Sequence, residues 1–352
     1  MIKIILNCID LKINTGGIAR LNILLENFLQ KKKYNFIVST LSGYHKKFLL
    51  SPKIYNSYNS KIIFFLKNFI FQFLSNFAIY SHVALAKAHI LNKNSYLIFI
   101  YGRDIWNIKS KRQIDLLKKA KYLISCSKFT INKSEKIHNV KFNNAISIWP
   151  GLGKKFFRFK NKKKHKNVNL LIVGRIVDEQ KGHFKILESI MILKDKFHNV
   201  RLTIIGDGPF RKNLEDYVRI NNLQNYVTFK GFVSQKNIQY YWNKTDIYVM
   251  PSVTEGFGFV YIEAMRNALP IIASVHDSGK EINVNNFTGF NVNLNKKHEL
   301  TEKLAILIKN KKLRIKMGKN SLSRWKNNFT KRHYENRLDF FFKTIVNKHV
   351  QE

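Results

Sequence analysis

Short apolar segments that end in glycine or polar residues recur along this chain of 352 residues. Such segments are typical of buried strands, and helical stretches separate them. Strands that alternate with helices predict an α/β fold with doubly wound parallel sheets. The segments that we interpret as strands are 3–8, 96–101, 122–126, 145–149, 170–176, 202–205, 227–233, 247–250 and 269–273.

The length of the chain favours two domains of this kind over one. A strongly charged run from Lys154 to Asn169 lies between two ordered patterns and is the predicted linker. We therefore predict one Rossmann-like domain over residues 1–158 and a second over residues 159–330. Ligands of open α/β sheets bind outside the carboxyl ends of the strands, so we expect a ligand in the cleft between the two domains.

The formal net charge is +40, and residues 1–158 contain 27 Lys and Arg against 5 Asp and Glu. Such a charge favours anionic partners, either nucleic acid or the headgroups of a cytoplasmic membrane leaflet. A codon bias toward Lys, Asn, Ile and Phe accounts for part of it. A basic nucleic-acid-binding protein is a competing hypothesis, but the lysines are dispersed and no nucleic-acid-binding motif is present.

The two cysteines and the first residues bear on the compartment. Cys8 and Cys126 are too few for a disulfide framework and are typical of a reducing environment. The first residues predict a strand and not a secretory signal. We expect a cytoplasmic protein.

Residues 61–90 form the richest apolar stretch, and the part from Asn68 to Ala86 contains no formal charge over 19 residues, which is long enough for a transmembrane helix. Its polar residues, among them Asn68 and His82, count against a membrane span. Two interpretations remain. The favoured one is a buried helix of the first domain, and the other is a monotopic helix whose aromatic face enters the membrane interface while lysines meet lipid phosphates.

The segment Asp246–Glu263 reads as a strand, a glycine-spaced loop at 256–258 and a helix start. A helix that begins near Gly258 offers unpaired backbone N–H groups to an anion, and Glu255 and Glu263 lie on either side of that start. Carboxylates accept hydrogen bonds from hydroxyl groups. These features fit a sugar nucleotide, although they also fit an ordinary joint of an α/β domain with solvated glutamates.

Other glycine turns follow predicted strands. Gly174 and Arg175 close one strand, and Lys181 comes six residues later. A guanidinium and an ammonium at the end of a strand suit a diphosphate. The pair Gly16 and Gly17 lies between a strand and a helix, where it forms either an anion-binding turn or only a bend of the chain.

The sequence PSVTEGFGFVYIEAM, residues 251–265, resembles the signature segment of retaining glycosyltransferases of family 4, with Glu, seven residues and Glu in the same places. The resemblance covers nearly the whole chain and is most specific from Gly174 to Gly289. It implies a GT-B fold, in which a C-terminal helix, about 331–352, returns to the first domain. It also implies transfer of a hexosyl unit from a nucleoside diphosphate sugar with retention at the anomeric carbon.

The resemblance also implies roles for single residues. Glu255 would meet the donor sugar and Glu263 the ribose hydroxyls, while the segment 227–233 would contact the base through its backbone and leave uridine and guanosine both open. The implied donor-binding residues are Gly16, Gly17, Gly174, Arg175, Lys181, Gly206, Gly208, Phe232, Val233, Gly256, Phe257, Gly258 and Glu263.

The sequence YGRDIW departs from the family pattern, because Tyr101 stands where related enzymes commonly have a histidine. Tyrosine donates a hydrogen bond but carries no positive charge near neutral pH. Tyr101 then acts as a neutral donor, or the sugar contact differs, or activity is reduced. The last case keeps a non-catalytic sugar-nucleotide-binding protein as an alternative. For Asp104 there are two alternatives: it helps to bind the sugar or the acceptor, or it pairs at the surface with a basic neighbour such as Arg103. The catalytic candidates are Glu255, Tyr101 and Asp104.

The ten aspartates include no pair spaced two apart, so the chain has no Asp-x-Asp metal clamp. The charge of the leaving group would be balanced by Arg175, Lys181 and helix-end amides. We predict a metal-independent hexosyltransferase that needs no cofactor beyond its donor. It would act peripherally at the inner face of a membrane on a lipid-linked or surface-polysaccharide acceptor, such as a lipopolysaccharide precursor.

Overall fold

The computed structural model describes residues 3–12, 16–43, 54–89, 94–153, 166–234 and 236–346. The chain divides into two compact units, one of residues 1–150 with 334–352 and one of residues 151–333. Residues 154–165 of the predicted linker lie outside the described part of the chain.

The first unit contains a parallel sheet of seven strands in the order β3-β2-β1-β4-β5-β6-β7. The strands are β1 Lys3–Cys8, β2 Asn35–Thr40, β3 Ile54–Asn56, β4 Phe77–Tyr80, β5 Ser95–Ile100, β6 Tyr122–Ser125 and β7 Ala145–Ser147. The strand order reverses between β1 and β4, as in doubly wound folds.

The second unit contains a parallel sheet of six strands in the order β10-β9-β8-β11-β12-β13. The strands are β8 Val168–Val173, β9 Val200–Ile205, β10 Val227–Phe229, β11 Ile247–Val249, β12 Ile271–Ser274 and β13 Gly289–Val292. The order reverses here between β8 and β11. The predicted fold class, α/β with two doubly wound parallel sheets, is confirmed.

The helices of the described residues follow the strands in the alternation that the sequence predicts. They are α1 Gly17–Lys31, α2 Lys61–Phe73, α3 Arg103–Trp106, α4 Lys111–Lys119, α5 Lys128–His138, α6 His183–Leu193, α7 Arg211–Ile220, α8 Ile238–Lys244, α9 Phe259–Arg266, α10 Gly279–Ile282, α11 Glu299–Lys309, α12 Lys311–Asn328 and α13 Lys331–Phe341. Short 3-10 turns cover Val83–Ala88 and Glu179–Lys181, and a π-helical turn covers Phe342–Val346.

Local side chains set several helix starts. Ser127 Oγ accepts a hydrogen bond from the Thr130 backbone N–H at 3.1 Å, so it caps α5. Asn310 Oδ1 caps α12 by accepting from the Leu313 N–H at 2.9 Å. Both are the short polar residues that satisfy the free N–H groups of a first helical turn.

The central strands carry continuous apolar runs because helices cover both faces of each sheet. Ile4, Ile5 and Leu6 of β1 are fully buried, and so are Leu171 and Ile172 of β8. This burial supplies most of the free energy that stabilises each unit.

The expectation of one helix in the stretch 61–90 is correct for its first part and wrong for the rest. α2 ends at Phe73, the residues Phe77–Tyr80 form β4 between β1 and β5, and Val83–Ala88 forms a short 3-10 turn. A short apolar run looks alike in a buried helix and in a buried strand, so periodicity alone did not separate them. None of the helices in the described part of the chain is long and apolar enough to cross a membrane.

Candidate active site

The candidate site of the second unit lies where β8, β9 and β11 end. The carboxyl ends of parallel strands share one edge of a sheet, and β8 lies between β9 and β11. Gly174 and Arg175 follow β8, Gly206 and Gly208 follow β9, and the loop that leads to Glu255 follows β11. The fold therefore gathers three of the sequence-predicted segments at one edge.

An ion pair joins the β8 and β11 segments. Lys181 Nζ donates a hydrogen bond to Glu255 Oε1, and their side chains are 22% and 17% exposed. The turn that carries Lys181 is held by the backbone, because the Val253 N–H donates to the Gln180 carbonyl at 2.9 Å. The two opposite charges are thus placed in contact before any ligand binds, and each one reduces the cost of leaving the other partly desolvated.

Three glycines bring the backbone segments of this edge into close contact. A Cβ at Gly206, where φ is +137°, would lie 1.8 Å from the Gly174 carbonyl oxygen. A Cβ at Gly208 would lie 2.3 Å from the Ile176 oxygen, and one at Gly174 would lie 2.9 Å from Lys181 Cδ. Only glycine fits at positions 206 and 208, so bare backbone lines this edge and a phosphate can approach it closely.

The predicted helix start near Gly258 is confirmed, since α9 begins at Phe259. Gly258 has a φ of +76°, and no side chain caps the helix. Glu263 lies half-buried in the second turn of α9. The helix start therefore lies at the end of the β11 loop, and helix N-termini are positions at which anions bind.

Other predicted donor-binding residues of this unit differ in exposure. Phe257 is buried and packs against Phe259 and Phe329, with ring centroids 5.7 and 6.2 Å away. Its side chain belongs to the core, so only its backbone is available to a ligand, and Gly256 beside it is also buried. In the segment after β10, Phe232 is 74% exposed and Val233 is half-buried.

Arg175 is exposed and has no hydrogen bond or ion pair with the described residues. Its guanidinium is therefore available to an anion without first breaking an internal contact. This distinguishes Arg175 from Lys181, whose ammonium already has Glu255 as a partner.

Asp277 is a buried neighbour of Glu255 that the sequence did not single out. Its side chain is fully buried behind Glu255, where Oδ1 accepts the Gly279 N–H at 2.7 Å. Burial and the negative charge of Glu255 raise the pKa of Asp277 well above its usual value. The Ser278 N–H donates to the Glu255 carbonyl oxygen at 3.1 Å, so the Asp277 turn holds the Glu255 backbone in place. The sequence signal that could have found Asp277 is its position as a single aspartate between the apolar strand β12 and Gly279.

The first unit carries the remaining candidates at the carboxyl edge of its own sheet, where Gly16 and Gly17 follow β1 and Tyr101 follows β5. Gly16 has a φ of +131°, and a Cβ there would meet no atom of the described residues within 4 Å. α1 begins at Gly17 without a side-chain cap. The glycine pair therefore leads directly into a helix N-terminus.

Asp104 caps the turn in which it lies. Its Oδ1 accepts the Tyr101 N–H at 2.9 Å and the Gly102 N–H at 2.7 Å. Burial raises the pKa of Asp104, and the nearby His82 acts in the opposite direction. Burial also raises the pKa of Tyr101 well above its usual value, so its hydroxyl is a neutral hydrogen-bond donor.

No group of three or more His, Cys, Asp and Glu side chains within residues 3–346, apart from the undescribed gaps, is arranged to hold a metal ion.

Comparison with known proteins finds a family that the second unit resembles. The family model described as "Glycosyl transferases group 1" matches residues 153–324. The matched segment is just under half of the chain and is similar to the group 1 glycosyltransferases. The predicted enzyme class is thereby confirmed.

Relatives of this glycosyltransferase extend beyond that segment. An uncharacterized glycosyltransferase of Haemophilus influenzae is 27% identical over 331 residues, which cover 88% of this chain and 91% of that protein. The capsular polysaccharide biosynthesis glycosyltransferase CapM of Staphylococcus aureus is 32% identical over 184 residues, which cover 51% of this chain and 47% of CapM.

Among solved structures, Anabaena HepE in complex with UDP-glucose resembles this glycosyltransferase with a TM-score of 0.77. The alignment covers 98% of this chain and 100% of HepE at 15% identity. A likeness at this identity concerns the fold, and it agrees with the GT-B class that the sequence predicts.

His183 lies directly after the Lys181 turn of the group 1 segment, as the first residue of α6. Its side chain is buried, and neither ring nitrogen has a hydrogen-bond partner among the described residues. Burial and the positive charge of Lys181 lower the pKa of His183 from 6.5 to about 4. The imidazole is therefore neutral at physiological pH.

Because of His183, we expect the folded state of this glycosyltransferase to lose stability in acid. The unfolded chain takes up a proton at His183 near pH 6.5, whereas the folded chain does so only near pH 4. Its contribution to stability is complete above pH 6.5 and is lost as the pH falls toward 4, by about 3 kcal/mol. Urea unfolding of wild type and His183→Leu at a series of pH values would measure it. We expect a flatter pH dependence in the variant, and equal slopes would contradict the assignment.

Proposed function

We propose that this glycosyltransferase moves a hexosyl unit from a nucleoside diphosphate sugar to a lipid-linked or surface-polysaccharide glycan, with retention at the anomeric carbon and without a metal ion. The observation that carries the proposal is the Lys181–Glu255 ion pair beside the glycine-lined ends of β8 and β9. It places one cation and one hydroxyl-binding carboxylate side by side at a surface that a diphosphate can approach.

Each part of the donor has a suitable partner in this arrangement. Arg175, Lys181 and the first N–H groups of α9 would bind the diphosphate and stabilise the charge that develops on it during transfer. Glu255 would accept hydrogen bonds from the transferred sugar, and Glu263 from the ribose. Asp277 acts behind them as a positioning residue for Glu255.

Two relatives support the substrate classes. HepE was solved with UDP-glucose, which supports a nucleoside diphosphate sugar as the donor. CapM is named for capsular polysaccharide biosynthesis, which supports a glycan acceptor. The net charge of +40 supports action at an anionic membrane surface, peripherally at its inner face.

The second candidate is a protein that binds the sugar nucleotide without transferring the sugar. Tyr101 favours it, because a neutral phenol supplies less electrostatic stabilisation than a protonated histidine in that place. This protein would show donor binding but neither hydrolysis nor transfer.

A thermal-shift panel of nucleoside diphosphate sugars, repeated in EDTA, tests the proposal. A ligand at a hundred times its Kd stabilises the folded state by about 2.7 kcal/mol. We expect one or more sugar nucleotides to raise Tm, with the same shift in EDTA, and nucleoside diphosphate release to continue there when a glycan acceptor is present. Loss of the shift or of release in EDTA would contradict metal independence, and a shift without release would favour the binding protein.

A further inference from the structure

α2 presents an apolar face to solvent instead of to the core. Ile62 is 74% exposed and Phe73 is 76% exposed. The other exposed apolar side chains of this region are Ile63, Phe65, Leu66, Phe69, Ile70 and Leu74. We call the outward side chains of Ile62, Ile63, Leu66, Phe69, Ile70 and Phe73 the outer face of α2.

Helix geometry shows that this exposure is ordered. At about 100° per residue, the outer face spans roughly a third of the helix circumference. Phe64 and Asn68 lie on the opposite side and are buried in the first unit. α2 is therefore attached through one side and carries a continuous apolar stripe on the other.

Basic side chains border the outer face. Phe65 lines a cavity of about 280 Å³ together with Lys87 and Arg112. Both cations are exposed, and neither has an ion pair or hydrogen bond within the described part of the chain. α2 and α4 both pack against the turn Val83–Ala88, which places this cavity beside the helix.

The sequence on either side of α2 carries charge of one sign. From Asn27 to Arg103 the sequence contains 11 Lys and Arg and neither Asp nor Glu. Among the elements that border the cavity, α4 carries one acidic residue, the exposed Asp115. A second copy of this chain, docked symmetrically, would set these cations against each other, whereas an anionic bilayer complements them.

We propose that the outer face of α2 inserts into the interface of an anionic phospholipid bilayer, and that the Lys87–Arg112 cavity binds a lipid phosphate there. Phenylalanine, leucine and isoleucine on one side of a helix with basic residues beside it are the pattern of interfacial helices. This membrane contact rests on the proposed function only because that function places sugar transfer at a membrane. The outer face of α2 is the surface that would touch the bilayer.

Vesicle co-sedimentation of the full chain tests the apolar part. Wild type should bind vesicles of phosphatidylcholine with phosphatidylglycerol, and Phe69→Ser/Phe73→Ser should lower the partition coefficient at least ~10-fold. The matched control is Ile220→Ser/Phe340→Ser, which removes two exposed apolar side chains elsewhere. Equal binding by the α2 variant and wild type would overturn the proposal.

The cationic part has its own pair of variants. Lys87→Ala/Arg112→Ala should weaken binding to the anionic vesicles by about 5-fold per cation, and the control Lys311→Ala/Lys312→Ala should not. Binding that is unchanged by Lys87→Ala/Arg112→Ala would remove the lipid-phosphate site.

Insertion can be observed directly because Cys8 and Cys126 are both buried. Ile70→Cys supplies one accessible thiol for an environment-sensitive dye, whose emission should shift to the blue on anionic vesicles. A dye that stays in water while the protein binds would overturn the proposal. So would a lipid-free dimer that Phe69→Ser/Phe73→Ser dissociates in light scattering, or binding of a purified acidic protein that competes with vesicles for the outer face.

The same variants separate this inference from the proposed function. The shift in Tm caused by a nucleoside diphosphate sugar, measured without vesicles, should be equal in wild type and Phe69→Ser/Phe73→Ser. A missing shift in both proteins would count against the proposed function, whereas a normal shift with unchanged vesicle binding would count against membrane docking by α2.

Discussion

Replacing Lys181 with methionine is expected to lower kcat for sugar transfer by about 10²–10³-fold, the loss that follows removal of one preorganised charge partner from an active site. Methionine keeps an apolar stem to pack beside Gly174, so the change removes the ammonium that contacts Glu255 and little else. Steady-state kinetics with a nucleoside diphosphate sugar and a glycan acceptor would measure it. Glu255→Gln should cause a loss of the same order.

The matched control for this prediction is Lys185→Met. Lys185 pairs with Glu188 on the surface of α6 at 3.1 Å, where both side chains are about half exposed. Surface pairs of this kind contribute about 0–1 kcal/mol to stability, so the control should keep wild-type kinetics. Full activity in Lys181→Met with an unchanged Tm would remove Lys181 from the active site.

The largest effect on stability is expected from Gly206→Ala, which should lower the free energy of unfolding of the second unit by about 4 kcal/mol or more. The new methyl group would overlap the Gly174 carbonyl oxygen at 1.8 Å, and alanine is strained at a φ of +137°. Both costs are of the order of 1–3 kcal/mol when they occur singly. Urea unfolding and amide hydrogen exchange of β8 and β9 would measure the change.

Gly153→Ala is the control, because a Cβ at that position meets no atom within 4 Å in the part of the chain that the structure describes. It should change the free energy of unfolding by no more than about 0.5 kcal/mol. If Gly206→Ala were as mild as the control, the close approach of the β8 and β9 turns would be wrong.

The sequence predicted those parts of the fold whose signals are local. Buried parallel strands are continuous apolar runs, so β1, β5 and β8 could be read directly from the chain. The prediction failed at β4, where Phe77–Tyr80 follows the equally apolar α2 without a charged or proline residue between them. Only the position of β4 between β1 and β5 in the sheet distinguishes it from a continuation of the helix.

The candidate site, like the fold, could be predicted only where its signals are local in the sequence. Gly174, Lys181 and Glu255 were found by residue type and spacing, and the helix start near Gly258 was found from its glycines. That Lys181 contacts Glu255 depends on the two segments meeting in space, 74 residues apart in the chain, which no local pattern encodes. Asp277 was missed for the same reason, since its importance comes from burial behind Glu255.

The Lys181–Glu255 contact also bears on which anions the empty enzyme would accept. A bare phosphate that drew the ammonium away would leave the carboxylate without its hydrogen-bond donor and would put a second negative charge beside it in a partly dehydrated place. A sugar hydroxyl delivered by the same ligand can take over that role. We therefore expect abundant inorganic phosphate to compete poorly with the donor. Lys181 and Glu255 neutralise each other until a ligand that carries both a phosphate and a sugar hydroxyl replaces their contact.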